Sequence, residues 1–548
     1  MAKGYRLVDR DQQFLLPPSM VDWLGEDHLV WFVIQAVQRL DTSRFHARAR
    51  LGGVGRRSYD PDMVLTLFVY AMAHGESSSR RIERLCRTDV AFRIICAQDA
   101  PDHTVLARFR KNHEAALTDL LAESLVLAAE LGMVSLGVVA FDGTKIAANA
   151  SCYASRTERH LRRLAEQFVS TVAETDEAED ALFGGDNRGD ELPEQVRDRS
   201  HRGERISQAL EVIHQRRRVA QQARRKQAEA GRAYERAATE ESTEGSRGPR
   251  GRPPEGTDPV AVAKGRWQRE RAWAQARYAE QQQARAQGGR RRGPQPLPPD
   301  ERVRVRKARA AYEAARAHAA AGDGGEGDAT DSSRTGAPAK DESGRFTANL
   351  TDPDSRLLKT RNGWIQGYNC QTATSADGFF FSARATQDAN DIDQFVPTAE
   401  DVSATAAHLA RSTGRDDLTV GTMVGDAGYD STDNLAAPGP DRLIADAKRH
   451  TVDKRAATDP AVGDPPPDTS TREKMNHRLR TPEGRTLYQR RAPLVEAPNA
   501  WLKDGRGLRR FARRGLPAAQ AELSFACAVT NLLKLARGGI TATQLTAT

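Results

Sequence analysis

The spacing of apolar and polar positions divides the chain into three kinds of segment. Up to about residue 115 the apolar positions recur at helical intervals. "DPDMVLTLFVYAMAHG" (60–75) predicts a helix with Asp60 as N-cap and Pro61 in its first turn. A Ser-rich turn follows, and "ESSSRRIERLCRTDVAFRIIC" predicts a short helix with Arg80, Arg81 and Arg84 on one side and Ile82 and Leu85 on the other. "PDHTVLARFRKNH" (101–113) predicts another. The period then changes. "LGVVAFDGTKIAANAS" (136–151) is an apolar run expected to form a core strand that ends at Asp142. Residues 363–387 predict two strands around a Ser-Ala-Asp-Gly turn, 418–431 a further strand ending at Asp426, and 442–448 a shorter one. Helical spacing returns at 516–537.

The third kind of segment separates the first strand from the rest. Leu161, Leu164, Phe168 and Val172 form the stripe of an amphipathic helix. Beyond them the chain becomes rich in Ala, Gln, Arg and Glu, broken by Gly/Pro patches at 248–256 and 288–299. Long helices, as an antiparallel pair, are expected there. Residues 321–344 have the composition of a disordered connector. The pattern is that of an α/β core interrupted by a long helical insertion.

Composition adds limits to this outline. A chain of 548 residues, 39% hydrophobic and 28% charged, has room for two or more domains and a sizeable core. No apolar run reaches the length of a membrane span and the first twenty residues lack a secretory signal, so a cytoplasmic protein is expected. The five cysteines are far apart with no Cys-x-x-Cys pair, which argues against a disulfide framework or a zinc site. Residues 201–320 carry 28 Lys and Arg against 14 Asp and Glu, more than the whole chain's net charge of +8. The basicity therefore resides in the insertion, which reads either as a solvated helical spacer or as a non-specific phosphate-binding arm. Arg80, Arg81 and Arg84 leave a similar choice between a helix-turn-helix-like DNA reader and an ordinary solvated face.

The acids carry the chemistry. A carboxylate at the tip of a core strand is costly to desolvate unless positive charge sits beside it. Asp142 and Asp426 each follow an apolar strand and precede small residues, Gly143 in one case and Ala427 and Gly428 in the other. Two such oxygens suit a hard cation, Mg²⁺ or Mn²⁺, better than zinc. Either acid alone reads as a turn former or helix cap. A third, Glu496, lies among seven arginines in "YQRRAPLVEAPNAWLKDGRGLRRFARRG" (488–515), two helical turns before Lys503. Pro493 fits a first helical turn, whereas Pro498 implies an early end or a kink. Lys145 reads as a surface lysine or a phosphate contact. Asp388, Asp391 and Asp393 form a further cluster, which reads as capping chemistry before a helix or as a separate metal site. Asp430 and Asp433 read as caps, and His103, His113 and His450 have no ligand spacing. With no Gly-rich phosphate loop, no nucleotide cofactor is expected.

At these residues the chain resembles the DDE transposases of bacterial insertion sequences, the branch with an RNase H-like core and a Tyr-Arg-Glu-Lys signature around the third acid. The resemblance spans the helical N-terminal region, the strands of Asp142 and Asp426, the Gly-Tyr-Asn-Cys-Gln strand at 367–371 and the region of Glu496, and skips most of the insertion. It implies an RNase H-like mixed sheet flanked by helices, with a helical DNA-binding domain at 1–115, the core at 116–155 and 346–540, and the insertion at 156–345. Asp142, Asp426 and Glu496 would be the catalytic, metal-holding acids, with two Mg²⁺ or Mn²⁺ ions per site. Tyr488, Arg491 and Lys503 would complete the signature on DNA. Four residues separate Arg491 from Glu496 where the signature has three, which leaves Arg490 and Arg491 as rivals for one role. The implied partner is double-stranded DNA, as element ends and target, bound by a homodimer or larger assembly near the nucleoid. The implied activity is metal-dependent cleavage and strand transfer at terminal inverted repeats. A DNA-binding protein of this fold without catalysis, or another RNase H-like nuclease, are the alternatives.

Overall fold

The computed structural model of the chain describes residues 20–47, 58–167, 194–239, 253, 257–286, 297–321, 346–446, 449–467 and 469–547. The connector at 321–344 falls outside these but for its first residue, as do Phe168 and Val172 and almost all of the two Gly/Pro patches. Two compact units are present: one of residues 1–156, 167–209 and 348–548, the other of 157–166 and 210–347.

In the first unit, helices start where a side chain can take the unpaired amides of the first turn. Helix α1 is Leu29–Arg39. Asp60 caps α2 (Pro61–Ala73), with Pro61 at its first position, and Ser78 caps α3 (Ser79–Thr88). Asp89 caps α4 (Val90–Ile95), Asp102 caps α5 (His103–Asn112), and α6 (Glu114–Glu130) follows. Phe45, Phe68 and Phe109 stack at 5.7 and 5.9 Å between ring centres, giving these helices a common core. The N-terminal helices and the sheet belong to the same unit.

The sheet holds β1 (Val138–Ala147), β2 (Arg356–Thr360), β3 (Gly363–Ser375), β4 (Phe380–Thr386), β5 (Thr422–Gly425) and β6 (Asp441–Ile444). β3 lies antiparallel beside β1, with β2 and then β4 along its other edge; β5 lies parallel to β1 and β6 parallel to β5. The β3–β4 turn has Gly378 at φ 79°, in the region that a glycine enters without strain. Helix α7 (Phe395–Thr413) follows β4. Two shorter helices, Thr471–Arg480 and Pro482–Gln489, lead to α8 (Arg491–Ala500), and α9 (Leu516–Arg537) is buried around most of its circumference. Asn531 ties α9 to its neighbours: its carboxamide accepts from the Phe380 amide at 2.8 Å and donates to the Phe380 carbonyl and to Ser124 Oγ of α6, both at 3.1 Å.

One expectation is corrected here. Asp142 does not end its strand, because β1 continues five residues further, paired with β3 as far as Ala147 and Gly367. What ends near Asp142 is the parallel neighbour: β5 stops at Gly425, so the sheet beside Asp142 opens on that side.

The second unit has its own helices, comprising the body of Glu194–Thr239 together with Pro259–Ala286 and Val303–Ala321. Trp267 stacks on Tyr312 at 5.5 Å, and Arg271 grips Asp300 through two bonds of 2.8 and 3.2 Å. Glu158, its side chain 6% exposed, pairs with Arg162, Arg217 and His214. No helix among the described residues is long and apolar enough to cross a membrane.

Candidate active site

Strand register brings the first two acids together. β1 and β5 pair through Val138 with Thr422, Val139 with Met423 and Ala140 with Val424. Asp142 and Asp426 each lie two residues beyond the last pair, so they occupy matching positions on adjacent parallel strands. Both carboxylates are then held alike. Asp142 Oδ1 accepts from the Gly143 amide and Asp426 Oδ1 from the Gly428 amide, each at 2.8 Å. Both Oδ2 atoms turn to one guanidinium: Arg491 Nη1 is 3.3 Å from Asp142 and Nη2 is 3.7 Å from Asp426.

One cation shared between two carboxylates leaves each under-compensated. Burial pushes the Asp142 carboxyl up to about 6; Arg491 works against this, while Asp426 and Asp391 add to it. Burial opposes the charge of Arg491, but Asp142, Tyr488 and Asp426 more than offset that and raise its pKa.

Arg491 opens α8, and the helix repeat carries Val495 and Asn499 to the same side. Val495 is fully buried and Asn499 Oδ1 accepts from Thr372 Oγ1 at 3.1 Å; Thr372 is the residue of β3 directly opposite Asp142. Arg490, by contrast, is exposed and serves as the N-cap position. Arg491 is therefore the arginine that faces the acids. Pro498 does not stop the helix; the chain opens into a π turn at Trp501–Gly505, where Arg506 N reaches back to Trp501 O. Lys503 sits in that turn, partly buried. Burial lowers its pKa, and Asp142 is among the charges that hold it up. Tyr488 lies one turn before Arg491, half-buried. Glu496 is exposed and makes no hydrogen bond or ion pair among the described residues.

Asp391 enters this neighbourhood although its sequence context reads as capping. It precedes a short 3-10 helix but makes no cap bond. Its Oδ1 instead accepts from Gln371 Nε2 at 2.7 Å and Asn369 Nδ2 at 2.8 Å, both on β3. The other capping readings also resolve differently. Ser431 caps the helix after β5, Asp430 pairs with Arg472 at 2.9 Å, and Asp388 accepts from Gln394. Lys145 donates to the Lys359 carbonyl at 2.7 Å, and His103 bonds Glu83. The side chain of His450 lies outside the described residues.

Among the described residues, the three donors that already lie within 4.8 Å of one another are His46, Asp60 and Asp62, in the N-terminal helices; the acids around Asp142 are more widely spaced, with Arg491 between the first two. On α3, Arg80, Arg81 and Arg84 are all exposed. Arg81 pairs with Glu76 at 2.6 Å, whereas the other two make no ion pair among the described residues.

Two known families match the chain, one at each end of it. A transposase domain matches residues 19–112 and a transposase DDE domain matches 465–536. Both matches support a DDE transposase of the insertion-sequence type. The first match takes in Arg80, Arg81 and Arg84, and the second takes in Tyr488, Arg491, Glu496 and Lys503; Asp142 and Asp426 lie outside both. No curated protein and no solved structure matches the chain.

Proposed function

We propose that the transposase cuts and joins DNA at the terminal inverted repeats of its own mobile element, with Asp142, Asp426 and Glu496 as the acids of an RNase H-like core. The single guanidinium shared by two carboxylates at matching strand positions is the observation that carries this reading. Support for the core comes from the order of its strands: an antiparallel meander of β4, β3 and β1 continued by two strands parallel to β1. The site suits divalent cations on two grounds. Its donors are all carboxylate oxygens, and glycines at 143 and 428 keep the space beside them free of Cβ atoms.

Asp142, Asp426 and Glu496 would hold two ions, Mg²⁺ or Mn²⁺. Divalent cations at such a site favour ionisation of an attacking water or 3′-hydroxyl and stabilise the leaving oxygen. The chain's own part is electrostatic and positional. Arg491 keeps two like charges side by side by offsetting part of the charge of each. With Lys503 it would hold backbone phosphates of the strand being cut, and Tyr488 would add a hydroxyl contact. Arg80, Arg81 and Arg84 of α3 would meet the duplex outside the site, and a homodimer or larger assembly would pair the two ends.

The test is Mg²⁺-dependent nicking of a labelled duplex that carries an end of the element. Asp142→Asn, Asp426→Asn and Glu496→Gln are each expected to abolish nicking while gel-shift affinity stays within about threefold. Full nicking by any of them refutes that acid's role. Binding without nicking by the unmodified chain would make it a DNA-binding protein that has lost catalysis.

A further inference from the structure

Asp391 reaches the acids through two glycines. A Cβ on Gly143 would stand 2.4 Å from Asp391 Oδ1 and 2.8 Å from Gln371 Nε2, closer than atoms approach. A Cβ on Gly428 would stand 3.0 Å from Asp426 Oδ1 and 3.7 Å from Asp391 Oδ2. Each glycine follows one of the two aspartates closely, and φ is not positive at either, so the demand for glycine there is one of space. At Gly143 that space is filled by Asp391 and Gln371; at Gly428 it is filled first by Asp426, with Asp391 in ordinary contact beyond it.

Two amides hold Asp391 Oδ1, and Oδ2, on the side of Gly428 and Asp426, accepts no hydrogen bond among the described residues. A carboxylate with one oxygen fixed by amides and the other unbonded is the form that outer hydrogen bonds give to a metal-binding carboxylate. A second observation concerns the strand that holds Asp391. Asn369 is 1% exposed and donates to Asp391, yet its own Oδ1 has no partner among the described residues. A buried amide oxygen of this kind is destabilising unless a bound water or ion takes it up.

We infer that Asp391 supplies a further carboxylate oxygen to the divalent-cation site of Asp142 and Asp426, held in place by Asn369 and Gln371. The inference rests on the cation site proposed above. It also gives Gly143 a functional reason, since a side chain there would displace this acid.

Mn²⁺ binding to the full chain without DNA, followed by the paramagnetic resonance of free ion and by calorimetry, tests the assignment. Asp391→Asn is expected to weaken binding at least tenfold, and Asp391→Glu, which keeps the charge but moves the oxygen by a methylene, to weaken it similarly. Asn369→Ala leaves the acid but removes one of its supports, and a loss of about tenfold is expected. Its weaker perturbation also serves should the Asp391 variants fail to fold. Three results overturn parts of the argument. If Asp142→Asn weakens binding but neither Asp391 variant nor Asn369→Ala does, Asp391 is not a ligand and the site of Asp142 stands. If Asp391→Asn weakens binding and Asp391→Glu does not, Asp391 acts only through its long-range charge. If Asp142→Asn leaves binding unchanged, the proposed cation site itself fails.

Discussion

Glu158 and Asp142 are built from the same materials and behave in opposite ways. Each is a poorly exposed carboxylate beside arginine, with side-chain exposures of 6% and 24%. Burial raises the pKa of both. Around Glu158, however, Arg162, Arg217 and His214 outweigh burial and take the pKa below its ordinary value, whereas Asp142 shares Arg491 with Asp426 and stays near 6. The difference lies in the count of charges. Glu158 has more cationic partners than it needs, as in a structural ion cluster. The acids of β1 and β5 have too few, so a further cation at that site lowers the energy of the folded chain.

The largest expected effect follows directly. Asp142→Asn should lower the nicking rate by about a thousandfold or more, as loss of a metal-holding acid does, while Glu158→Gln should leave it within about threefold. A thousandfold loss from Glu158→Gln would mean that the ion cluster of the second unit also takes part in the reaction.

Much of the first half of this contrast was visible in the order of residues, and much of the second was not. An apolar run, an acid and then a glycine marks Asp142 and Asp426 as unusual, because desolvated acids need a reason. Their side-by-side placement depends on parallel register across almost 300 residues of chain, which no local pattern specifies. The strand through Asp142 runs on because β3 pairs with it as far as Ala147, and that pairing has no local signal. Asp391 was legible as a cap, since Asp and Asn before a helix start ordinarily serve that role, or as part of a separate metal site with Asp388 and Asp393, but not as a neighbour of Asp142 and Asp426. Its actual partners, Asn369 and Gln371, sit about twenty positions earlier, and a side-chain amide that will bond a distant carboxylate looks like any other polar residue of a strand. The ambiguity between Arg490 and Arg491 was likewise one of helical phase: Arg491 shares its side with the buried Val495, and Arg490 does not.

Stability should separate the two acids by sign. At pH 7.5 without divalent cations, Asp142→Asn removes a charge that the fold disfavours, and is expected to stabilise the first unit. A pKa of about 6 against 3.8 corresponds to about 3 kcal/mol at most, and the partial exposure of the side chain reduces this to on the order of 2 kcal/mol. Glu158→Gln does the reverse, leaving arginines beside a neutral amide in the second unit at a cost of about 1–3 kcal/mol. Hydrogen exchange of peptides covering each position reads the two effects separately, which a single melting curve of a two-unit chain does not. Destabilisation by Asp142→Asn would show that Arg491 compensates the acids more fully than their spacing suggests.

The pH dependence sharpens the contrast further. A folded pKa above the unfolded one means that the native state binds the proton more tightly, so the stability linked to Asp142 is greatest below about pH 4 and is lost as the pH rises through about 6. For Glu158, with its pKa lowered, the linked stability is present at neutral pH and is lost as the pH falls through the carboxylate range. Cation binding adds a consequence at the first site alone. Mn²⁺ must displace the Asp142 proton below about pH 6, so its apparent affinity should fall by up to tenfold per pH unit there and level off above it. Calorimetry in buffers of different ionisation enthalpy would detect the proton released on binding at pH 5.5 and its disappearance by pH 7.5. A pH-independent affinity across that range would mean that Asp142 is already ionised before the cation arrives, and that Arg491 meets the charge demand of both aspartates unaided.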